Sequence, residues 1–290
     1  MNARTLLADA ARRLADAGIE SPRVDAELLL AAVLGVTRTA LLTLGELPAA
    51  QAARYAALLD ERAARVPLQH LTGTAPFRHL ELSVGPGVFV PRPETELVAG
   101  WVLSRIAGLA APTVVDLGAG SGAIALAVAN EHPGARVVAV ERDAAAIEWT
   151  RHNAATRAAA GDTPVEVLAG DMTDRALLTG LDGLVDVVVS NPPYVPDGAR
   201  LPREVTEHDP PLALWGGPDG LDVVRGLLGT AARLLRPGGW LGIEHADQQG
   251  SALPALLRAH GGWTDVADHR DLADRPRYTT AQLGGHHAAR

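Results

Sequence analysis

The stretch that decides the fold is TVVDLGAGSG, residues 113–122. Its first half is short, apolar and β-branched, which predicts a buried strand. Its second half is a glycine-rich turn, where the backbone can pass close to a ligand, and residues 123–130 continue as a helix. Such turns also permit tight packing of a strand on a helix, so the turn alone leaves ligand binding and packing open.

A second strand supplies an acidic residue at the expected place. Residues 136–140 form an apolar run that ends in Glu141, about twenty positions after the glycine turn, where a carboxylate can accept both ribose hydroxyls of a nucleoside. The spacing Gly118-x-Gly120-x-Gly122 lacks the third glycine of the dinucleotide fingerprint and lacks a Lys-Ser/Thr ending. A nicotinamide cofactor and a nucleoside triphosphate are therefore disfavoured, whereas S-adenosylmethionine, which has no phosphates, fits better.

A third strand, predicted over residues 165–168, leads to Gly170-Asp171-Met172. The Asp171 carboxylate could meet the exocyclic amine of adenine, with Met172 beside the ring. The alternative is that Asp171 caps a helix over residues 172–178.

The fourth strand, predicted from the apolar run of residues 184–190, leads into Asn191-Pro192-Pro193-Tyr194. Two prolines directly after a strand forbid further ladder pairing, so the chain must leave the sheet as a stiff loop. Loops at the carboxyl ends of parallel strands are where open α/β sheets bind ligands. Asn191 and a proline carbonyl could together hold the NH2 group of an amide or amine. The alternative is a rigid turn with Tyr194 in the core.

The rest of the chain frames these four strands. Residues 3–66 show helical spacing of apolar positions and predict a small helical bundle, either a cap over a sheet edge or a substrate-recognition domain. The remaining predicted elements are a hairpin pairing 77–82 with 88–90, a helix through 106, a helix over 220–235, a turn at 237–239, a strand over 240–244, a helix over 247–260, and closing antiparallel strands over 263–269 and 278–283.

Composition narrows the classes of function. The net charge is -8 and no segment is a basic block, which disfavours a surface that grips nucleic-acid phosphates. The absence of cysteine excludes disulfides and thiolate metal sites. No signal peptide or membrane span is recognised, so a cytoplasmic location is expected. The adjacent His286 and His287 lack a third partner, and no metal is predicted.

The motifs together resemble a known family. In order, residues 116–122, Glu141, Gly170-Asp171 and Asn191-Pro192-Pro193-Tyr194 resemble the motifs of S-adenosylmethionine-dependent methyltransferases that act on planar nitrogen. The tetrapeptide alone does not separate glutamine from adenine methylation. Further segments resemble the bacterial release-factor glutamine methyltransferases: His70-Leu71-Thr72-Gly73, Phe77, residues 91–96, Glu244-His245 and Gln248-Gln249-Gly250.

This resemblance implies an α/β fold: a seven-stranded, Rossmann-like class I methyltransferase sheet with a small N-terminal helical bundle. The implied domains are a helical substrate-recognition domain at 1–75, a β-hairpin linker at 76–95 and a methyltransferase domain at 96–290. The implied reaction moves a methyl group from S-adenosylmethionine to the side-chain amide nitrogen of the glutamine in the Gly-Gly-Gln motif of class I peptide chain release factors.

The resemblance also implies the site residues. The catalytic set is Asn191, Pro192, Pro193 and Tyr194, and the cofactor-binding set is Gly118, Ala119, Gly120, Ser121, Gly122, Glu141, Asp171, Met172 and Asn191. Two positions depart from the family pattern: Glu141 stands where many members have Asp, and Met172 where many have an aromatic residue. A release factor is the expected partner of a monomer that binds neither nucleic acid nor membrane directly.

Two other functions are compatible with parts of the sequence. An adenine-N6 methyltransferase would flip a base from its stack and needs a basic groove, which the acidic balance disfavours. A non-catalytic protein could keep the nucleoside-binding fold and dock through its helices, but the intact glycine turn and Asn191 loop disfavour it.

Overall fold

The structure is a computed structural model that describes residues 3–285, so His286 and His287 lie outside the described residues. The chain forms two compact units. The first consists of residues 3–74, 84–86 and 201–208, and the second of residues 75–83, 87–200 and 209–285.

The first unit is helical, as the apolar spacing predicts. Its elements are α1 (Ala3–Asp16), α2 (Pro22–Leu34), a 3-10 helix (Arg38–Thr43), α3 (Ala49–Ala63) and α4 (Leu68–Thr72). Tyr55 is fully buried in its core and donates a hydrogen bond to the Ala26 carbonyl at 2.9 Å. The buried Arg62 donates to both Asp25 and Glu204, each at 2.8 Å, so residues 201–208 are tied to the helices by a paired charge.

A short hairpin consists of β1 (Thr74–Phe77) and β2 (Leu80–Ser83). The predicted pairing of residues 77–82 with 88–90 is wrong, because the chain already turns at Arg78, whose φ is +52°. The Arg78 guanidinium donates to the Glu131 carboxylate at 2.5 and 2.7 Å, which holds this tight turn in place. Residues 88–90 then run on without strand pairing.

The second unit is built on a seven-stranded sheet, in the order β5-β4-β3-β6-β7-β9-β8. Strands β3 to β7 are parallel to one another, and β9 is antiparallel to both β7 and β8. The elements in chain order are α5 (Thr95–Ile106), β3 (Thr113–Leu117), α6 (Ala123–Glu131), β4 (Arg136–Glu141), α7 (Ala144–Ala159), β5 (Glu166–Ala169), β6 (Val185–Ser190), α9 (Asp222–Leu234), β7 (Leu235–Glu244), α10 (Ala252–His260), β8 (Trp263–Arg270) and β9 (Pro276–Leu283). Helix α8 (Arg203–His208), which follows β6 in the chain, belongs to the first unit.

The central strand β3 is buried on both faces, as expected for a parallel strand covered by helices. Val114 belongs to one hydrophobic cluster, whereas Val115 and Leu117 belong to the cluster on the other face. Leu117 lies opposite Val140 of β4 and Ser190 of β6, so three strands end at one level. The strand order reverses at β3, which is where an open α/β sheet leaves a crevice for a ligand.

Three predicted elements differ in the structure. Residues 172–178 form turns and not a helix, followed by a 3-10 helix at Thr179–Leu181. The turn expected at 237–239 lies inside β7, at an irregularity in its pairing with β6, where Gly238 takes a φ of +78°. The helix expected over 247–260 is split into a 3-10 helix (Asp247–Gln249) and α10.

Among the helices of residues 3–285, none combines the length and the apolar composition that crossing a membrane requires.

Candidate active site at the carboxyl edge of the sheet

The glycine turn after β3 depends on backbone conformations that favour glycine. Gly118, Gly120 and Gly122 have φ values of +82°, +58° and +85°. The amides of Gly118 and Ala119 both donate to the Val140 carbonyl, at 2.8 and 3.0 Å, so the turn folds over the end of β4. A Cβ at Gly118 would lie 2.6 Å from the Met172 Cε. The turn therefore forms a cradle in which a side chain at the first position would have to displace the Met172 methyl group.

The far side of the turn is held by the buried Ser121, whose carbonyl accepts from Asn153 at 3.0 Å. The hydroxyl of Thr150 likewise donates to the Gly120 carbonyl at 2.6 Å. Helix α7 thus holds the glycine turn in place through the side chains of Thr150 and Asn153.

Glu141 stands at the end of β4 and organises the backbone around it. One carboxylate oxygen accepts from the Gly120 amide at 2.9 Å, and the other from the amides of Arg142 and Asp143 at 2.7 and 2.9 Å. The side chain is partly exposed. The structure thus brings the predicted acid to the predicted turn.

Asp116 lies beneath the turn and is 1% exposed. One of its oxygens accepts from the Ala125 amide at 3.1 Å, while the other has no hydrogen-bond partner among the described residues. Burial, reinforced by the charge of Glu141, raises the pKa of Asp116 to about 7. The sequence prediction did not include Asp116 in the site; the signal that could have found it is a single acid in an otherwise apolar strand.

Asp171 and Met172 occupy the end of β5. The Asp171 Oδ1 accepts from the Thr173 amide and hydroxyl at 2.8 and 2.7 Å, and Oδ2 pairs with Arg142 at 3.0 Å. Burial alone would raise the Asp171 pKa, but these bonds outweigh it and hold the pKa below the ordinary value. Met172 is buried against Gly118, and the Ser190 hydroxyl approaches its sulfur at 4.0 Å.

The loop after β6 presents Asn191 on a rigid base. Pro192 and Pro193 are buried. The Asn191 Nδ2 donates to the Thr95 hydroxyl at 3.2 Å, so one side of the amide is already engaged. The Asn191 carbonyl lies 3.9 Å from where a Cβ at Gly118 would stand, so the loop and the glycine cradle adjoin.

Tyr194 turns into the protein. Its hydroxyl donates to the Glu244 Oε1 at 3.4 Å, and its carbonyl accepts from the Gln249 Nε2 at 3.1 Å. A Cβ at Gly220 would lie 2.1 Å from the Tyr194 carbonyl, so the loop packs on backbone there. Burial beside Glu244 raises the pKa of Tyr194.

Glu244, at the end of β7, is 1% exposed, and its Oε2 has no hydrogen-bond partner within the described range. Burial raises the pKa of Glu244 to about 7, although Thr95, Arg277 and Tyr194 favour the ionised form. The neighbouring His245 points elsewhere: its ring nitrogens lie 2.8 Å from the Ala246 carbonyl and 2.9 Å from Asp268. His245 is therefore a hydrogen-bonded core residue.

Two family profiles match the chain. The PrmC N-terminal domain matches residues 5–73, and the methyltransferase small domain matches residues 80–207. A release factor glutamine methyltransferase from Streptomyces coelicolor is 50% identical over 280 residues, covering 95% of this chain and 96% of that protein. The protein of the same name from Mycolicibacterium smegmatis is 49% identical over 278 residues and covers 96% of each chain.

The chain belongs to the release factor glutamine methyltransferase family. The family resemblance carried by the sequence motifs is thus confirmed. A relative from Mycobacterium tuberculosis is 44% identical over 291 residues, covering 99% of this chain and 93% of that protein.

Solved structures support the fold of the family. A 16S rRNA methyltransferase from T. thermophilus, solved with AdoMet and guanosine, is 24% identical, with a TM-score of 0.51 over 72% of this chain and 49% of that chain. A methyltransferase from Pyrococcus furiosus is 19% identical, with a TM-score of 0.52 over 78% of this chain and all (100%) of that chain. At these identities the likeness concerns the fold, and the predicted seven-stranded methyltransferase sheet is confirmed.

Proposed function

We propose that this protein transfers the methyl group of S-adenosylmethionine to the side-chain amide nitrogen of the glutamine in the Gly-Gly-Gln motif of class I release factors, and that Asn191 is the residue that aims that nitrogen. The observation that carries the proposal is the meeting of the Asn191 loop and the glycine cradle at the strand-order reversal.

The residues present fit S-adenosylmethionine. A Cβ at Gly118 would enter the cradle and displace the Met172 methyl group, Glu141 places a carboxylate at the turn, and the buried Asp116 keeps one oxygen without a partner in residues 3–285. In our proposal the cofactor is held by Gly118, Ala119, Gly120, Ser121, Gly122, Glu141, Asp171, Met172 and Asn191. When bound, the cofactor supplies a methyl group on a sulfonium centre.

The roles within the loop follow from the chemistry of an amide. The nitrogen lone pair of a carboxamide is delocalised into its carbonyl, so reaction depends on orientation and on electrostatic support. The Asn191 Oδ1 and the Pro192 carbonyl accept the two NH2 hydrogens of the glutamine, which fixes the nitrogen and localises its electron density. Pro193 keeps the loop stiff. Methyl transfer moves the positive charge to the nitrogen, which then carries the methyl group and both hydrogens; one of these protons is lost to solvent, and no general base is assigned.

Tyr194 has a supporting place in this proposal. Its hydroxyl is directed at Glu244 and its carbonyl at Gln249, so its contacts stabilise the loop from within. In this proposal Tyr194 also packs against the substrate.

The class of substrate, the roles of the two domains, the oligomeric state and the location of the protein are also proposals. The acidic balance of the chain supports a protein substrate without direct nucleic-acid contact. We propose that the N-terminal helical domain, residues 1–75, recognises the release factor, that residues 76–95 link it to the methyltransferase domain, and that the protein acts as a monomer in the cytoplasm, where translation ends.

One assay tests the function. The protein is incubated with methyl-labelled S-adenosylmethionine and, separately, with a release factor, with the same factor carrying Gln→Ala in its Gly-Gly-Gln motif, and with duplex DNA. Label on the intact factor alone is expected. Label on DNA and not on the factor would indicate adenine methylation, and label on both factors would move the modified residue away from the motif glutamine.

A further inference from the structure

A line of three side chains runs from the Asn191 loop into the core. Asn191 Nδ2 donates to the Thr95 Oγ1 at 3.2 Å. Burial raises the pKa of Glu244, and the Thr95 side chain opposes this by favouring the ionised form of Glu244. Thr95 is 4% and Glu244 1% exposed. The three residues come from the loop after β6, the first residue of α5 and the last residue of β7. Buried polar groups on three separate elements meet here behind one loop residue.

When Glu244 is ionised, the donors and acceptors in this line have a fixed direction. A threonine hydroxyl has one proton to donate and lone pairs to accept with. Because the Thr95 hydroxyl accepts from Asn191, its own proton is free for the Glu244 carboxylate, which can only accept when ionised. A carboxylate at the inner end therefore selects the Asn191 orientation in which the NH2 faces Thr95. The Asn191 Oδ1 is then directed away from Thr95.

The same carboxyl group reaches the other end of the loop. Its Oε1 accepts from the Tyr194 hydroxyl at 3.4 Å. Glu244 thus contacts the loop directly at Tyr194 and through Thr95 at Asn191, with Pro192 and Pro193 buried between them. The positive charge of Arg277 favours its ionised form, while Glu94 opposes it.

We propose that Thr95 and Glu244 are positioning residues for methyl transfer: they hold the Asn191 amide with its NH2 inward, so that Oδ1 faces the amide of the substrate. Neither residue contacts the substrate. The proposal rests on the function proposed above for Asn191 and adds the two residues that determine its orientation.

A double-mutant cycle tests this inference. The variants are Thr95→Val, which is isosteric but lacks the hydroxyl, Thr95→Ser, which keeps it, Asn191→Ala, and the double variant T95V/N191A. Loss of the hydrogen bond is expected to lower the kcat of Thr95→Val about tenfold. The cofactor Kd and the KM for the release factor should stay within about twofold, and Thr95→Ser should recover most of the kcat.

The decisive comparison is between the effect of Thr95→Val in the wild-type protein and its effect in Asn191→Ala. If Thr95 acts through Asn191, adding Thr95→Val to Asn191→Ala causes no further loss, because interacting residues are not additive. A merely structural threonine would lower the kcat by the same factor in both backgrounds. Glu244→Gln provides a second cycle with Asn191→Ala, for use if Thr95→Val does not fold, and the same non-additivity is expected.

Two results separate this inference from the function on which it rests. A wild-type enzyme that methylates the release factor, together with a Thr95→Val variant of unchanged kcat or of fully additive loss, overturns the inference and leaves the proposed function standing. A wild-type enzyme that does not methylate the factor overturns both.

Discussion

Glu141 and Glu244 both stand at the carboxyl end of a parallel strand, yet the protein treats them in opposite ways. The Glu141 carboxylate is partly exposed and accepts from three backbone amides, one in the glycine turn and two directly after its own strand. Glu244 is buried, contacts the side chains of Tyr194 and Thr95, and keeps one oxygen without a partner in the described structure. The difference indicates two tasks: Glu141 shapes a backbone cradle, and Glu244 holds side chains from distant parts of the chain.

The largest effect should come from the loop that Glu244 supports. Replacing Asn191 by Ala removes an acceptor aimed at the substrate, and kcat should fall about 100-fold, the scale for losing one preorganised polar group. The cofactor Kd should change little. Measured single-turnover rates at saturating cofactor provide the test. Asn130→Ala is the control, since Asn130 donates only to Asp162 at 2.9 Å outside the loop, and it should keep its rate.

The second effect concerns stability and pH. The Glu244 pKa is raised from 4.5 to about 7, so the folded protein binds a proton more tightly than the unfolded chain. Below pH 4.5 both states are protonated and there is no penalty; as pH rises from 4.5 through 7, stability is lost, by about 3 kcal/mol at most.

Denaturant unfolding at pH 5 and pH 8 measures this difference. Glu244→Gln should lose less stability between the two pH values than the wild type does. Part of the pH dependence of the unfolding free energy should remain in this variant, because the pKa of Asp116 is also raised to about 7 and its titration acts in the same direction. An equal change in unfolding free energy between pH 5 and pH 8 for the two proteins would contradict the buried state of Glu244.

The third effect concerns the cradle on the Glu141 side. Gly118→Ala meets both a φ of +82° and the Met172 methyl at 2.6 Å, whereas Gly161→Ala meets a φ of +100° with nothing within 4 Å. We expect a loss of unfolding free energy of about 2 kcal/mol at Gly118 and about 1 kcal/mol at Gly161. Calorimetric titration should show weakened cofactor binding for Gly118→Ala only. Equal cofactor affinities in Gly118→Ala and Gly161→Ala would show that the cradle does not bind the cofactor.

The fourth effect isolates Glu141 itself. In Glu141→Gln only one side-chain oxygen remains to accept from the three amides, so the turn should loosen. The cofactor Kd should then rise about tenfold, which corresponds to the loss of one charge-assisted hydrogen bond. Glu148→Gln, an exposed acid on α7, is the matched control and should leave the Kd unchanged. A larger loss of kcat than of cofactor affinity would assign Glu141 to the reaction and not to binding.

The smallest effect is expected at Asp171. Both of its oxygens are engaged, by Thr173 and Arg142. Asp171→Asn keeps one acceptor for Thr173, so we expect the cofactor Kd to rise only about threefold, under 1 kcal/mol. A rise of 100-fold, measured by the same titration, would instead favour direct contact with adenine.

The prediction of the sheet shows which patterns carry enough information. Strands β3, β4 and β6 were found within a residue because each is a β-branched run bounded by glycine, acid or proline. The hairpin failed because its turn uses Arg78 at φ +52°, a conformation that sequence pattern assigns to glycine or asparagine. The predicted helix over 172–178 failed because Asp171 bonds its own turn at Thr173. Local capping chemistry is the same in a turn and at the start of a helix.

The sequence by itself determined the family, the positions of the central strands along the chain and the two loops where ligand chemistry occurs, because those features are local: glycines that need positive φ, an acid after a strand and prolines that end one. Only the tertiary structure decided that Thr95 and Glu244 stand behind Asn191, since they are separated by 96 and 53 residues in the chain from Asn191 in opposite directions. Their pairing depends on β6 and β7 lying side by side and on the N-terminus of α5 reaching the same edge, and no period or spacing in the sequence encodes that meeting.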